Sequence, residues 1–246
     1  MKILVCISNV PDTTTKITFT ENNTKFNTQG VQFIINPYDE LALTKALELN
    51  EKAGGGTVTT IIVGLADTEP TIRKALAIGA NDAVRINAEP VDAFFVAEQI
   101  AAYAKDKNFD LILTGRESID YNGGLVCGLI GELLNIPSVN VITSIEIENG
   151  VATLERDIDG GRETVKCSLP LVASAQKELT EPRLPNMRGI MAARTKPLQV
   201  IEPIPTANYS IFETFELPAP KGGCKMIPAE EAEKLIDILH NEIKVI

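Results

Sequence analysis

The sequence has a single histidine, His240, close to its carboxyl end. A histidine base, a hydrolase triad or a histidine-ligated metal would have to be built from that extremity, so these chemistries are disfavoured. Cysteine is sparse in pattern as well. Cys6, Cys127, Cys167 and Cys224 are widely separated and form no C-x-x-C pair, which points away from a disulfide framework or zinc site and toward small buried thiols. No G-x-G-x-x-G follows the first apolar run, and neither G-x-x-x-x-G-K-[ST] nor G-x-S-x-G occurs. These absences remove the ordinary dinucleotide Rossmann site, the P-loop enzymes and the serine-hydrolase elbow. No apolar run approaches the roughly 20 residues needed to cross a bilayer. The amino terminus, MKILVCISNVPD, has one lysine and an apolar run too short for a signal sequence, so a cytoplasmic chain without membrane insertion is expected. Excess positive charge is lacking too: a formal charge of -10 and a pI near 4.8 argue against a nucleic-acid partner held through phosphates.

What is present is an ordinary globular composition, 246 residues with 44% apolar and 23% charged, enough for a sizeable core. Lys2 to Ile7 reads as a strand covered on both faces, which Ser8-Asn9-Val10-Pro11-Asp12 cannot continue. Residues 13 to 30, rich in Thr and Asn, suggest a small hairpin or excursion beyond the sheet, and Val31 to Ile35 is apolar again. Pro37, with Asp39 and Glu40 behind it, starts a helix faced by Leu41, Leu43, Ala46, Leu47 and Leu49 and stopped at Gly54-Gly55-Gly56. Thr57 to Val63 is a β-branched strand. Asp67, Thr68 and Glu69 before Pro70 open a second helix, Ala83 to Ile86 is a short strand, and Asp92 is placed to cap a helix to Tyr103 or Lys105. Strand and helix alternating through such short connections predict a doubly wound, mostly parallel, Rossmann-like α/β domain.

The stretch Leu111 to Leu134, LILTGRESIDYNGGLVCGLIGELL, is the centre of this reading. A buried strand ends at Gly115, a polar loop runs from Arg116 to Gly123, and a helix begins near the glycine pair Gly123-Gly124. First-turn amides lack internal partners and carry partial positive charge, which suits a nucleotide phosphate. A plain strand-to-helix turn with strain-relieving glycines is the other reading. Strand ends after Cys6 and at Gly64, together with Asn36, are positioned to join this loop in one crevice.

After Pro137 the pattern changes. Val139 to Ile147, Val151 to Glu155 and Glu163 to Lys166, separated by Asn149-Gly150 and Asp159-Gly160-Gly161, predict antiparallel strands with tight turns, and Leu169 to Ala173 returns to the core. The segment Glu181 to Met191 sets two methionines and two prolines among arginines: a soft apolar tip ringed by cations, suited to transient recognition of acidic partners, or a surface loop whose methionines tuck beneath it. Five prolines between 202 and 228 mark an extended arm, and Ala229 to Ile246 carries an amphipathic stripe of Ala232, Leu235, Ile236, Leu239 and Ile243. The arm either folds back on its own domain or embraces another subunit. Residues 1–200 are thus expected to form the nucleotide-binding domain and 201–246 an arm and helix that contact a partner.

Val151 to Ala173, VATLERDIDGGRETVKCSLPLVA, closely resembles the signature of the electron transfer flavoprotein beta subunit, through Arg156, Asp159, Gly160, Gly161, Glu163, Pro170, Leu171 and Val172. Asn36-Pro37, TIRKALAIGA at 71–80, GRESID at 115–120 and Glu181-Pro182-Arg183 resemble that family in order and spacing, so the likeness covers essentially the whole chain. The resemblance implies an electron carrier subunit, not an enzyme in its own right. It implies a heterodimer with an alpha subunit holding most contacts to FAD, and AMP, or in bifurcating members a second FAD, in the beta subunit. By position, nucleotide contacts would fall at Cys6, Asn36, Val63, Asp120, Asn122, Gly123, Gly124, Leu125 and Val126. The recognition loop would be Leu184 to Met191, with Met187 at the docking position among Leu184, Arg188, Ile190 and Met191. Asp157 matches an acid that pairs with an alpha-subunit arginine. The phosphate loop departs from the family: Asp120-Tyr121-Asn122 and Leu125 stand where relatives carry D-x-D and a glutamine, which leaves the identity of the nucleotide open.

Three functions follow as expectations. The first is a carrier that takes electrons from acyl-CoA or related flavoprotein dehydrogenases and passes them to a quinone reductase or other acceptor. The second is a bifurcating component oxidising NADH at a beta-subunit FAD. The third is a non-redox adenine-nucleotide module. Flavins counted per heterodimer separate the first two, and a stable isolated chain that never carries flavin would mark the third.

Overall fold

The first strand, β1 (Lys2–Cys6), is buried on both faces because its side chains alternate between two cores: Ile3 and Val5 enter one, Leu4 and Cys6 the other. In the computed structural model, which describes residues 1–246, the chain continues through β2 (Asn9–Pro11), β3 (Phe19–Thr20), β4 (Lys25–Phe26), β5 (Phe33–Ile35) and α1 (Pro37–Lys52). Then come β6 (Thr57–Val63), α2 (Glu69–Ile78), β7 (Asp82–Ile86), α3 (Ala93–Ala104), β8 (Leu111–Gly115) and α4 (Val126–Leu134). β9 (Ser138–Glu148), β10 (Val151–Ile158), β11 (Gly161–Ser168), β12 (Leu171–Ala175), α5 (Met187–Ala193), β13 (Leu198–Ile201) and α6 (Glu233–Asp237) complete it.

One nine-stranded sheet runs β11-β10-β9-β12-β8-β1-β6-β7-β13. Pairing is parallel from β9 through β13 and antiparallel from β9 to β11. Helices α1 and α2 cover one face and α3 and α4 the other, which gives the expected α/β architecture. From β1 the chain proceeds outward to β6 and β7, then returns to β8 on β1's other side. The strand order therefore reverses between β1 and β8, and such a reversal opens a crevice at the carboxyl ends of the strands.

Local signals account for most boundaries. Pro37 and Pro70 stand in the first turns of α1 and α2, and the Asp92 carboxylate caps α3 by accepting from the Phe95 amide at 2.7 Å. Asn149 and Gly150, at φ of 50° and 79°, make the tight β9–β10 turn.

Three expectations need correction, and one strand was not expected at all. The run Val31–Ile35 does not join the main sheet; its β5 segment pairs antiparallel with β2, whose Pro11 ends an edge strand where a missing amide costs little. β13, unforeseen, pairs with β7 at the sheet edge, and it is short and half exposed. Of the thiols, Cys6 and Cys127 are buried, but Cys167 is half-buried and Cys224 exposed. The last helix is not continuous: a 3-10 turn at Ala229–Glu231, α6, and π turns over Ile238–Ile243 follow one another with no buried residue. An apolar stripe with nothing beneath it gives a helix little to hold its register. No helix is long and apolar enough to cross a membrane.

Candidate functional site

One buried carboxylate locks the switch point. Asp39, in the first turn of α1, accepts hydrogen bonds from the Ser8 amide (2.8 Å), the Ser8 hydroxyl (2.7 Å) and the Gly115 amide (2.9 Å). It thereby ties the chain leaving β1, the start of α1 and the end of β8. Burial pushes its carboxyl up to about 6, and the donors restrain the rise.

Asn36 stands at the N-cap of α1 yet makes no cap bond. Its Nδ2 donates instead to the Glu117 carbonyl at 2.8 Å, and its Oδ1 accepts from the Ile119 amide at 3.3 Å. A residue type favoured for capping is thus diverted to hold the polar loop. Within that loop the Ser118 amide donates to the Gly123 carbonyl at 3.0 Å, and the Asp120 carboxylate accepts from the Tyr121 amide at 2.9 Å and from the Ser118 hydroxyl. Burial raises the pKa of Asp120. Asn122 is left-handed at φ 51°, a conformation asparagine tolerates.

α4 begins at Val126, two residues beyond the glycine pair. The amides of Gly124, Leu125, Val126, Cys127 and Gly128 donate to no protein acceptor. Five free donors at the positive end of a helix suit a phosphate. A Cβ at Gly124 would lie 3.1 Å from the Arg116 carbonyl, whereas one at Gly123 would meet nothing within 4 Å. Cys6, Val63 and Cys127 share one apolar cluster under this crevice, so what Cys6 and Val63 can offer a ligand is main-chain atoms. Burial pushes the Cys127 thiol up to about 12 and raises Cys6 as well, which keeps both protonated and inert.

The structure therefore brings Asn36 and the loop carrying Asp120, Asn122, Gly123, Gly124, Leu125 and Val126 into direct contact, above strand ends that include Cys6 and Val63. From sequence Asp39 has no part in this site, and Gly115 is only the first residue of the loop at the strand's end. Asp39 reads as a helix-start acid, and no spacing announces its bonds to residues 31 and 76 positions away. Arg85 was also missed: it is buried at the end of β7 and donates to the Gly64 carbonyl at 3.0 Å and to Asn87 Oδ1 at 2.8 Å.

The arm runs along α3 to the 116–123 loop. Gln99 exchanges hydrogen bonds with the main chain of Ile204, and the Asp92 carboxylate accepts from the amides of Tyr209 and Ser210. Tyr121 of the 116–123 loop stacks on Phe212 with centroids 4.7 Å apart, Phe212 on Phe215 at 5.4 Å, and Phe215 on Phe19 at 5.1 Å. Up to Phe215 the arm folds back on its own domain.

The Glu181–Met191 segment is part helix. Asn186 caps α5 by accepting from the Gly189 amide at 2.8 Å. Leu184, Met187, Arg188, Ile190 and Met191 are exposed, Leu184 at 83% and Met187 at 75%, so these methionines do not tuck under the surface. Asp157 lies elsewhere, on β10, where its carboxylate accepts from Arg162 Nε at 3.0 Å and Gln176 Nε2 at 3.4 Å. The structure does not bring it together with α5.

Asp39 gives a pH test. Its folded pKa, about 6, lies above the ordinary 3.8, so the native state holds this proton more tightly than the unfolded chain does. The stability gained is fully present below about 3.8 and is lost as pH rises through 6, a change of ~3 kcal/mol. Urea melts of the native chain and Asp39→Asn from pH 4 to 7 are expected to diverge by that amount. Parallel curves would reject the assignment.

A model of the electron transfer flavoprotein domain matches residues 23–206. The chain is 39% identical to the electron transfer flavoprotein subunit beta of Bacillus subtilis, with all of both chains covered. It is 36% identical to the subunit beta of Syntrophomonas wolfei, covering all of this chain and 98% of that one. With the Homo sapiens subunit beta it shares 30% identity over 94% of each. The family model over most of the chain, and relatives of 36–39% identity that cover all of it, place the chain in the electron transfer flavoprotein family, among its beta subunits.

Proposed function

We propose that the chain pairs with an electron transfer flavoprotein alpha subunit to form an FAD-containing carrier in the cytoplasm. It accepts electrons from acyl-CoA or related flavoprotein dehydrogenases and delivers them to a quinone reductase or another acceptor. FAD, held largely by the alpha subunit, supplies the redox chemistry. This chain braces that subunit, holds AMP in its own crevice and presents α5 to the donor. Residues 201–246 serve as the arm that contacts the partner, with Asp157 on a separate contact surface.

The observation that carries this reading is the set of unpartnered amides from Gly124 to Gly128 at the switch point. Asn122, Gly123, Gly124, Leu125 and Val126 would hold the phosphate, Asn36 and Asp120 would fix the loop, and the main chain at Cys6 and Val63 would line the rest.

Co-purification with the alpha subunit, followed by nucleotide extraction and mass analysis, tests it. One FAD and one AMP per heterodimer are expected; two FAD would instead favour NADH oxidation at the beta-subunit site, and no nucleotide would reject the crevice. Gly124→Val should lower nucleotide occupancy at least about fivefold, because its side chain presses on the Arg116 carbonyl and fills the approach. Gly123→Ala, with open space around its Cβ, separates ligand contact from chain strain. Full occupancy in Gly124→Val would contradict the phosphate assignment.

A further inference from the structure

Within the TIRKALAIGA run at 71–80 the Thr71 hydroxyl donates to Asn9 Oδ1 at 2.6 Å, beside the chain leaving β1, while Arg73 reaches the end of α5. We infer that this run is the seat that orients α5, with Arg73 as the positioning residue for docking of the electron donor. The inference rests on reading α5 as the recognition helix.

Arg73 Nη1 donates at 3.0 Å to the carbonyls of both Ala193 and Lys196, at and just past the carboxyl end of α5. Those acceptors have no partner within the helix. The remaining edge of the guanidinium, through Nε at 3.3 Å and Nη2 at 3.1 Å, is held by Glu69 one turn back. A planar fork gripped on one edge can fix what it holds on the other. Lys196 returns the arrangement: its Nζ donates to the carbonyls of Leu76 at 2.8 Å and Ala80 at 2.5 Å, at the carboxyl end of α2. Each helix end is thus closed by a cation from the other segment.

Close approach completes the seat. A Cβ at Gly189 would collide with the Ala77 carbonyl, so the close approach of α5 to α2 requires glycine at 189. α5 has seven residues, too few to hold its own orientation in water, so its rotation is borrowed from α2. With Ala193 buried and Gly189 pressed on α2, Met187 and Met191 are turned outward.

The test uses the purified heterodimer with flavin and nucleotide bound, and an acyl-CoA dehydrogenase reduced by its acyl-CoA as donor. Arg73→Ala is expected to raise the KM for the dehydrogenase about tenfold, with kcat, flavin content and nucleotide content unchanged. Arg73→Lys should fall between, since one ammonium cannot span both carbonyls and Glu69. The deciding readout is a double-mutant cycle: if Arg73 acts by aiming Met187, the KM increase caused by Met187→Ala shrinks in the Arg73→Ala background. Additive effects would overturn the inference, as would an unchanged KM in Arg73→Ala when Met187→Ala raises it. If Met187→Ala itself has no effect, the reading of α5 falls and the inference with it. Should Arg73→Ala fail to assemble, the same cycle run on Arg73→Lys decides.

Discussion

Gly115→Ala is expected to empty the crevice and to cost the chain at least ~3 kcal/mol of folding stability. The new Cβ would collide with Asp39 Oδ1 and stand 2.7 Å from Tyr38 Cβ and 3.0 Å from Asn36 Nδ2. None of these is the free end of a flexible chain: all three belong to the first turn of α1 or its cap, which packs under the strand ends. Displacing Asp39 leaves the part-buried Ser8 and Gly115 amides without their acceptor, at ~1 kcal/mol or more for each donor. Displacing Asn36 releases the loop at Glu117 and Ile119, and with it the presentation of the Gly124–Gly128 amides. Urea denaturation and nucleotide extraction of the variant check both effects. A midpoint and a nucleotide content equal to those of the native chain would show that the junction does not depend on this contact.

That junction also marks where sequence reasoning stops. The parallel strands were legible because double burial leaves continuous apolar runs such as Ile3 to Ile7 and Leu111 to Leu113, and the helix starts because Pro37, Pro70 and Asp92 act within one turn of themselves. The loop 115–124 was legible as a strand-to-helix connection by the same local means, since glycine and polar residues follow an apolar run there. Asp39 was not, because its partners are remote in sequence and a helix-start acid is its ordinary role. Short edge elements escaped as well. β2 and β13 have three and four residues, and pairing supplied by a neighbour, not periodicity, makes them strands. The aromatic column was invisible for a related reason: Phe19, Tyr121, Phe212 and Phe215 come from three segments that meet only in the fold. Conversely, the amphipathic stripe read in the last segment covers nothing in the fold, and a stripe without a surface does not by itself form a regular helix.

That uncovered stripe sets the second large effect. A chain ending at Phe215 is expected to fold with unchanged stability and to bind the alpha subunit at least ~100-fold more weakly. Every buried residue lies between Ile3 and Ala193, and the arm's hydrogen bonds to Asp92, Gln99 and Asn23 are made by Phe215 or residues before it. Removal of 216–246 therefore deletes no core contact. What it removes is apolar surface in search of cover: Leu217 is 60% exposed, Met226 84%, Ile236 61% and Ile246 67%. Burying even two such side chains on a partner contributes ~3 kcal/mol before the cost of ordering the segment, which is about 100-fold in affinity. Calorimetry of the truncated and full chains against the alpha subunit measures the difference, and urea melts of each chain alone supply the control. A paired Leu235→Ser and Ile236→Ser variant should reproduce part of the loss with the arm's length intact. If the truncated chain binds as tightly as the full one, the arm beyond Phe215 is not a partner contact, and the heterodimer must be held through the globular domain.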